Sequence, residues 1–488
     1  MTEPTRTGLL ISDFQIGNLA ALLGKGADEA PLTVVQGPFG QVIPTLMEPP
    51  EPPAPADRFD FAVVWAQPEA ISSEYARAKV HHPAEVEAVR AEVRAFADRV
   101  RSALETIPNI LVCTFGADPS DRGLGILDRG GGHGLARLRS EMNRILADEL
   151  GDARGVLLLD TERWIARVGA GAYDPRLWYM AKIPFTPAVF REAADEIRTA
   201  LHALRKGGRK LLILDLDHTL WGGVVGETGY EGIRLGGHDP LGEAFVDFQR
   251  AIEALTRRGV VLGIVSKNEE EVALEAIREH PEMVLRSEHF AGWRINWQDK
   301  AANVAALVEE LNLGLDSAVF IDDQPAERAR VREALPEVLV PEWPDDPTEY
   351  RRALRAMHCF DVPALSDEDR ARARSYAEER HRREVRASVG SMEAWLDELE
   401  VRVEVEPLSE ATLSRAAQLL NKTNQMNLRT RRMSETEFAR WAEGADRQVW
   451  VCRVSDRFGD AGLTGLVSVE LDGREARFAD FILSCRVF

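Results

Sequence analysis

The chain reads as an α/β protein of several domains, and three observations carry that reading. Short unbroken apolar runs alternate with segments of helical period, the pattern of strands buried on both faces of parallel sheets. Carboxylates and hydroxyls stand directly after those runs, at the strand ends where open α/β sheets place their chemistry. The series restarts after Gly207-Gly208-Arg209-Lys210, and from about 400 it gives way to alternating strands, so more than one sheet is required. At 488 residues, roughly two to four domains of ordinary size are expected. A 45% hydrophobic content with 29% charge supplies a sizeable core.

The first series opens with Gly8-Leu9-Leu10-Ile11-Ser12 and continues with Phe59-Asp60-Phe61-Ala62-Val63-Val64-Trp65. Between them Pro49-Pro50-Glu51-Pro52-Pro53-Ala54-Pro55 is a stiff, exposed connection. Residues 83–105 carry apolar positions at helical spacing, and strands follow at 110–114 and 156–160. The second series has strands at 211–215, 260–266 and 318–322, with helices at 243–258, 269–278 and 299–311. Residues 365–396 are dense in Arg and Glu and are expected to be an exposed helix, a solvated face or linker. The third region has strands at 401–405, 448–454, 462–471 and 475–485, with helices near 409–421 and 434–443.

The net charge of −20 argues against nucleic acid or an anionic membrane as the main partner. Cys113, Cys359, Cys452 and Cys485 are widely spaced, which fits a reducing cytoplasm and gives no metal or disulfide framework. No apolar stretch approaches the roughly 20 residues of a membrane span, and no secretory signal pattern opens the chain. A cytoplasmic location is therefore expected. Gly130-Gly131-Gly132-His133-Gly134 lacks the preceding strand and following Lys-Ser/Thr of a phosphate loop and reads as an ordinary loop.

Chemistry concentrates in four places taken in chain order. Leu211-Leu212-Ile213-Leu214 ends in Asp215, with Asp217 and Thr219 at successive steps of two. Ser266 ends a strand and is followed by Lys267 and Asn268; Lys300 opens a helix; Asp322 and Asp323 end another apolar run. Phosphoryl transfer needs these groups. A hydroxyl, a lysine and Mg²⁺ neutralise the non-bridging oxygens, strand-end carboxylates ligate the metal, and an aspartyl nucleophile needs a second acid beside it.

This order resembles the four motifs of the haloacid dehalogenase (HAD) superfamily. The resemblance implies Asp215 as nucleophile and Asp217 as general acid/base and carbonyl ligand of the metal. It implies Thr219, Ser266 and Lys300 as holders of the phosphoryl group, assisted by Lys267 and Asn268, and Asp323 with Asp322 as the remaining metal ligands. Trp221-Gly222-Gly223-Val224-Val225-Gly226-Glu227, Ser266-Lys267-Asn268-Glu269, Asn296-Trp297-Gln298-Asp299-Lys300 and Phe320-Ile321-Asp322-Asp323-Gln324-Pro325-Ala326 are similar to the forms these motifs take in FkbH-like proteins, HAD subfamily IIIC. That family often has Asn where Gln324 stands. The likeness runs on through Cys359-Phe360-Asp361 and Asn421-Lys422-Thr423-Asn424-Gln425-Met426-Asn427.

Membership would imply an N-terminal SGNH-hydrolase-like α/β domain (1–205), a central HAD-like Rossmannoid domain (206–360), a helical linker (361–398) and a C-terminal GNAT-like α+β domain (399–488). It would also imply an enzyme that takes 1,3-bisphosphoglycerate, removes phosphate with Mg²⁺ as cofactor, and loads the glyceryl group onto the phosphopantetheine arm of an acyl carrier protein for polyketide biosynthesis. An acyl phosphate is attacked readily by a thiolate, and Cys485, closing the last strand, is the first choice for the acyl carrier, with Cys113 and Cys359 as the alternatives and Cys452 read as core. Asn424 is expected at the acyl or phosphate group and the nearby Arg429, Arg431 and Arg432 at the carrier protein. The family continues past Cys-Arg-Val with a glycine-rich turn, so a truncated GNAT-like region is expected here. Phe14 stands where an SGNH hydrolase has its serine, and Asp174-Pro175-Arg176-Leu177-Trp178 lacks the partner histidine, so the first domain is expected to be non-catalytic. The competing readings are a stand-alone Mg²⁺ phosphatase acting on small phosphoesters and a non-enzymatic scaffold; intact Asp215, Asp217, Lys300 and Asp323 speak against the second.

Overall fold

A computed structural model describes residues 5–25, 32–130, 134–388, 399–422, 433, 435–457, 459–473 and 475–484. The chain divides into two compact units, Met1–Gly207 with Asp361–Pro363 and Gly208–Phe360 with Ala364–Phe488. The boundary falls at the glycine pair the sequence marked.

The first unit holds β1 (Arg6–Ser12), β2 (Leu32–Gln36), β3 (Phe61–Trp65), β4 (Ile110–Cys113) and β5 (Val156–Leu159). They form one parallel sheet in the order β2-β1-β3-β4-β5. Successive side chains point to opposite faces, and both faces are apolar. Leu9, Ile11, Val64 and Val112 pack on helices Val86–Ala103 and Leu135–Leu150. Leu10, Val63 and Leu111 pack on the other side, against Leu19, Trp164 and Phe190. Phe14 is buried at 2% exposure and makes edge contacts with the rings of Trp65 (5.5 Å) and Phe185 (5.7 Å). Phe14, which the sequence comparison set against a hydrolase serine, is a core residue.

The second unit contains β6 (Leu211–Leu214), β7 (Val261–Ser266), β8 (Phe290–Ile295) and β9 (Ala318–Ile321), a parallel sheet ordered β8-β7-β6-β9. Leu339 extends it by a parallel bridge to Val319. Leu212 and Leu214 face helix Pro240–Thr256, while Leu211 and Ile213 face helix Lys300–Glu310. β6, buried along its length, lies between β7 and β9, so both neighbours deliver their ends beside its own.

The remaining strands β10 (Arg402–Pro407), β11 (Arg447–Asp456), β12 (Gly459–Asp472) and β13 (Glu475–Leu483) form an antiparallel sheet in chain order. Helices Glu410–Lys422 and Glu435–Ala442 cover one face through Ala416, Leu420 and Phe438. Helix Asp367–Ser388 corrects the expectation of a merely solvated segment. Ala377 and Arg380 are buried, the Arg380 guanidinium lies 4.6 Å from the centre of the Trp293 ring, and Arg382 pairs with Asp456 at 2.5 Å. Arginine stems bury while their heads stay paired, so an Arg-rich stretch can be a packed face.

Candidate active site

The site is built on strand ends. The Asp215 N–H donates to the carbonyl of Ile321 (3.0 Å), which carries the β6–β9 ladder one residue further and fixes the carboxylate at the carboxyl end of the sheet. The chain then turns sharply. The amides of Thr219 and Leu220 return to the carbonyl of Leu216, His218 takes a left-handed φ of +56°, and the Tyr350 hydroxyl donates to the His218 carbonyl (3.1 Å).

Lys300 arrives from the opposite direction. Asp299 caps helix Lys300–Glu310 by accepting from the Ala302 N–H (3.0 Å), so Lys300 is the first helical residue. Its ammonium lies 3.1 Å from Asp215 Oδ2 and 2.6 Å from Asp322 Oδ2, with all three groups buried. Arg328 sets the third corner. Its Nη1 donates to the carbonyls of Asp322 (2.9 Å) and Asp323 (2.6 Å), holding the turn after β9.

One oxygen each of Asp215, Asp322 and Asp323 falls within 4.8 Å of the others. Three carboxylates face one buried lysine, and the electrostatics record the excess. Burial, reinforced by the charge of Asp215, pushes the Asp322 carboxyl up to about 6 despite Lys300. The same two causes, in that order, raise Asp323. Burial alone would lower Lys300, but Asp215 and Asp322 outweigh it and hold it above its ordinary value. Asp215 Oδ1 and Thr219 Oγ1 are buried without a hydrogen-bond partner, although buried polar atoms are rarely left so. Carboxylate oxygens, surplus negative charge and orphaned oxygens together fit a hard divalent cation such as Mg²⁺, with room for phosphoryl oxygens.

Asp217 stands differently. Its Oδ1 accepts from the Trp221 indole N–H (2.9 Å) and the Val225 amide (3.0 Å), and its Oδ2 from Asn268 Nδ2 (2.7 Å). Asn268, expected to meet phosphate, thus points its amide at Asp217. Lys267 pairs with Glu327 at 2.5 Å rather than with the carboxylates of the cluster. Ser266 is buried at the end of β7, next to β6. Asn424, Cys485, Arg429, Arg431 and Arg432 lie outside the described residues. Among the described cysteines, Cys113 is buried and its thiol is pushed well up by burial, while Cys359 and Cys452 are half-buried. Sequence reasoning missed Trp221, Arg328 and Tyr350 as parts of this frame. The tryptophan directly after the aspartate motif was the available signal for the first.

Trp221 is fully buried, so Trp221→Phe keeps most of its packing and removes one donor from Asp217. A hydrogen bond to a charged group contributes about 1.5–3 kcal/mol. The variant is expected to lose about ten- to a hundredfold in kcat with KM little changed, read by steady-state phosphate release. An unchanged kcat would mean that Asp217 needs no such support.

A central strand ending in a carboxylate, a lysine opening a helix and an acid pair after the neighbouring strand resemble the arrangement of a HAD-type phosphoryl-transfer site. Comparison with known proteins agrees with that class. The N-terminal part of the Bacteroides fragilis protein BF1531, containing a phosphatase domain and crystallised with Mg, superposes with a TM-score of 0.65 at 26% identity, covering 74% of this chain and 95% of that one. This supports a relation to HAD-type phosphatases. A catalytic mutant of the acetylxylan esterase Axe2 from Geobacillus stearothermophilus matches at 13% identity and a TM-score of 0.28, over 40% of this chain and 94% of its own, a likeness too low to assign the fold of any region. No protein-family model and no curated protein matches the chain. Among the described residues no helix is long and apolar enough to cross a membrane.

Proposed function

We propose that the chain is a HAD-type, Mg²⁺-dependent phosphatase coupled to glyceryl transfer. The observation that carries the phosphatase half is the buried Asp215–Lys300–Asp322 contact beside an Asp215 oxygen with no partner. In this reading Asp215 attacks phosphorus, the bond from phosphorus to the leaving oxygen breaks, and an aspartyl phosphate forms. Lys300, Thr219 and Ser266 hold the non-bridging oxygens. Asp217 supplies the proton to the leaving oxygen and later takes one from the water that hydrolyses the aspartyl phosphate, which frees Asp215 and inorganic phosphate. Asp215, Asp323, Asp322 and the Asp217 carbonyl would hold Mg²⁺, which when bound supplies charge neutralisation at the phosphoryl group. The Mg²⁺ in the related Bacteroides fragilis domain supports that choice.

The transferase half rests on the motif resemblance. The Cys485 thiolate would displace phosphate from the acyl phosphate of 1,3-bisphosphoglycerate, giving a thioester. The HAD site would remove the phosphate ester, and the pantetheine thiol of an acyl carrier protein would take the glyceryl group and release Cys485. The burial of Cys113 supports placing the reactive thiol elsewhere, because the neutral thiol is a weak nucleophile. In this reading the N-terminal unit is a non-catalytic SGNH-type scaffold, which buried Phe14 supports. Intact-mass spectrometry after incubation with 1,3-bisphosphoglycerate should show a glyceryl or phosphoglyceryl adduct that Cys485→Ala abolishes. An adduct surviving that change would sink the assignment. A stand-alone Mg²⁺ phosphatase is the second reading, favoured by a carboxylate–lysine cluster that is self-contained around β6, β9 and one helix.

A further inference from the structure

We propose that Lys267 and Glu327 form an exchangeable ion pair that selects substrates carrying a second anionic group besides the phosphate. The inference rests on the second, stand-alone phosphatase reading, because a phosphoglyceryl thioester carries no anion besides its phosphate, and it deepens that reading. Lys267 directly follows β7, and Glu327 lies in the first turn of helix Pro325–Ala334, which follows β9. β7 and β9 flank β6 on opposite sides. An ion pair joining their carboxyl ends therefore spans the end of β6, where Asp215 stands. The Lys267 Nζ–Glu327 Oε1 distance is 2.5 Å, and the two side chains are 37% and 20% exposed, so solutes can reach the pair.

The polar groups around it have other tasks. The Asn268 amide is on Asp217, the Arg328 guanidinium holds the carbonyls of Asp322 and Asp323, and Lys300 is shared by Asp215 and Asp322. Lys267 instead holds a carboxylate that takes no part in the metal-binding cluster. A part-exposed lysine–carboxylate pair contributes little stability, because water screens it and both side chains lose freedom in making it. A carboxylate or second phosphate on a bound substrate can replace Glu327 as the counter-ion of Lys267 at little cost. A neutral substituent cannot. The acidic chain offers no long-range attraction to such substrates, so their selection has to come from local cations of this kind.

The test compares 3-phosphoglycerate with glycerol 3-phosphate, which share a three-carbon skeleton and a primary phosphate ester and differ in carboxylate against hydroxymethyl. Steady-state phosphate release by the full chain with Mg²⁺ gives the ratio of kcat/KM for the two. The intact chain is expected to prefer 3-phosphoglycerate. Lys267→Gln should cut that preference about tenfold, mainly through KM, and Glu327→Gln, which removes the competing carboxylate, should raise it. Melting curves for both variants verify that they fold. A ratio unmoved by Lys267→Gln would overturn the inference, as would equal losses on both substrates, which would place Lys267 on the transferring phosphoryl group. If the intact chain releases phosphate from neither compound nor from any other phosphoester, the phosphatase reading itself falls and takes this inference with it.

Discussion

Asp215→Asn is expected to reduce phosphate release at least a thousandfold while leaving the protein as stable as before or more so. The first effect follows from removing the proposed nucleophile, since an amide oxygen at the same place cannot form the aspartyl phosphate. The second follows from charge. After burial, the charge of Asp215 does most to raise the carboxyls of Asp322 and Asp323, so neutralising it relieves two buried neighbours, and Lys300 keeps Asp322 at 2.6 Å. The sign can be worked through for Asp322. Its folded carboxyl is raised from 3.8 to about 6, so the fold favours the protonated form. The stability this gives is lost as pH rises across that window. The variant should lose less across the same window, which melting curves on either side of it would measure. Catalytic sites commonly hold such strained charge at the expense of stability.

Lys300→Met is expected to destabilise the metal-free protein by about 3–5 kcal/mol, the usual consequence of leaving buried carboxylates without their cation. Methionine fills the volume of the lysine stem, so packing loss is small and the effect is electrostatic. Lys300 is 3% exposed and touches two carboxylates, which leaves water little scope to compensate. Adding Asp322→Asn should restore a good part of the loss, because one of the stranded anions is then gone. Denaturant unfolding of the two variants and the double variant, with chelator present, reads this coupling. If Lys300→Met unfolded at the original midpoint, the lysine would not be what balances the cluster.

Much of the second unit was legible because β6, β7 and β9 are unbroken apolar runs that end in polar residues. β8 was not, since Phe290–Ile295 contains a half-exposed Trp293 and Arg294 at the sheet edge and lacks both the alternation and the continuity of its neighbours. β2 escaped for the same reason: Leu32–Gln36 is an edge strand with no fully buried residue. Helix Asp367–Ser388 was misjudged because composition cannot say whether an arginine faces water or lies over a tryptophan ring. In the site, the residues standing at strand ends and at a capped helix start could be placed from their position alone. The supports could not. Trp221 reads as core in sequence, and it is fully buried, yet its indole N–H is what meets Asp217. Asn268 and Lys267 are both good phosphate donors by type, and the fold turns one toward Asp217 and the other toward Glu327.

The central claim is that Asp215 takes the phosphoryl group. It is tested most directly by acid-quenching the full chain during turnover of 3-phosphoglycerate with Mg²⁺ and locating the phosphoryl adduct by peptide mass spectrometry. The account predicts an acyl-phosphate adduct on the peptide bearing Asp215, sensitive to hydroxylamine, missing in Asp215→Asn and missing when Mg²⁺ is withheld. Phosphate release that continues undiminished in Asp215→Asn, or an adduct carried by another residue, would contradict it.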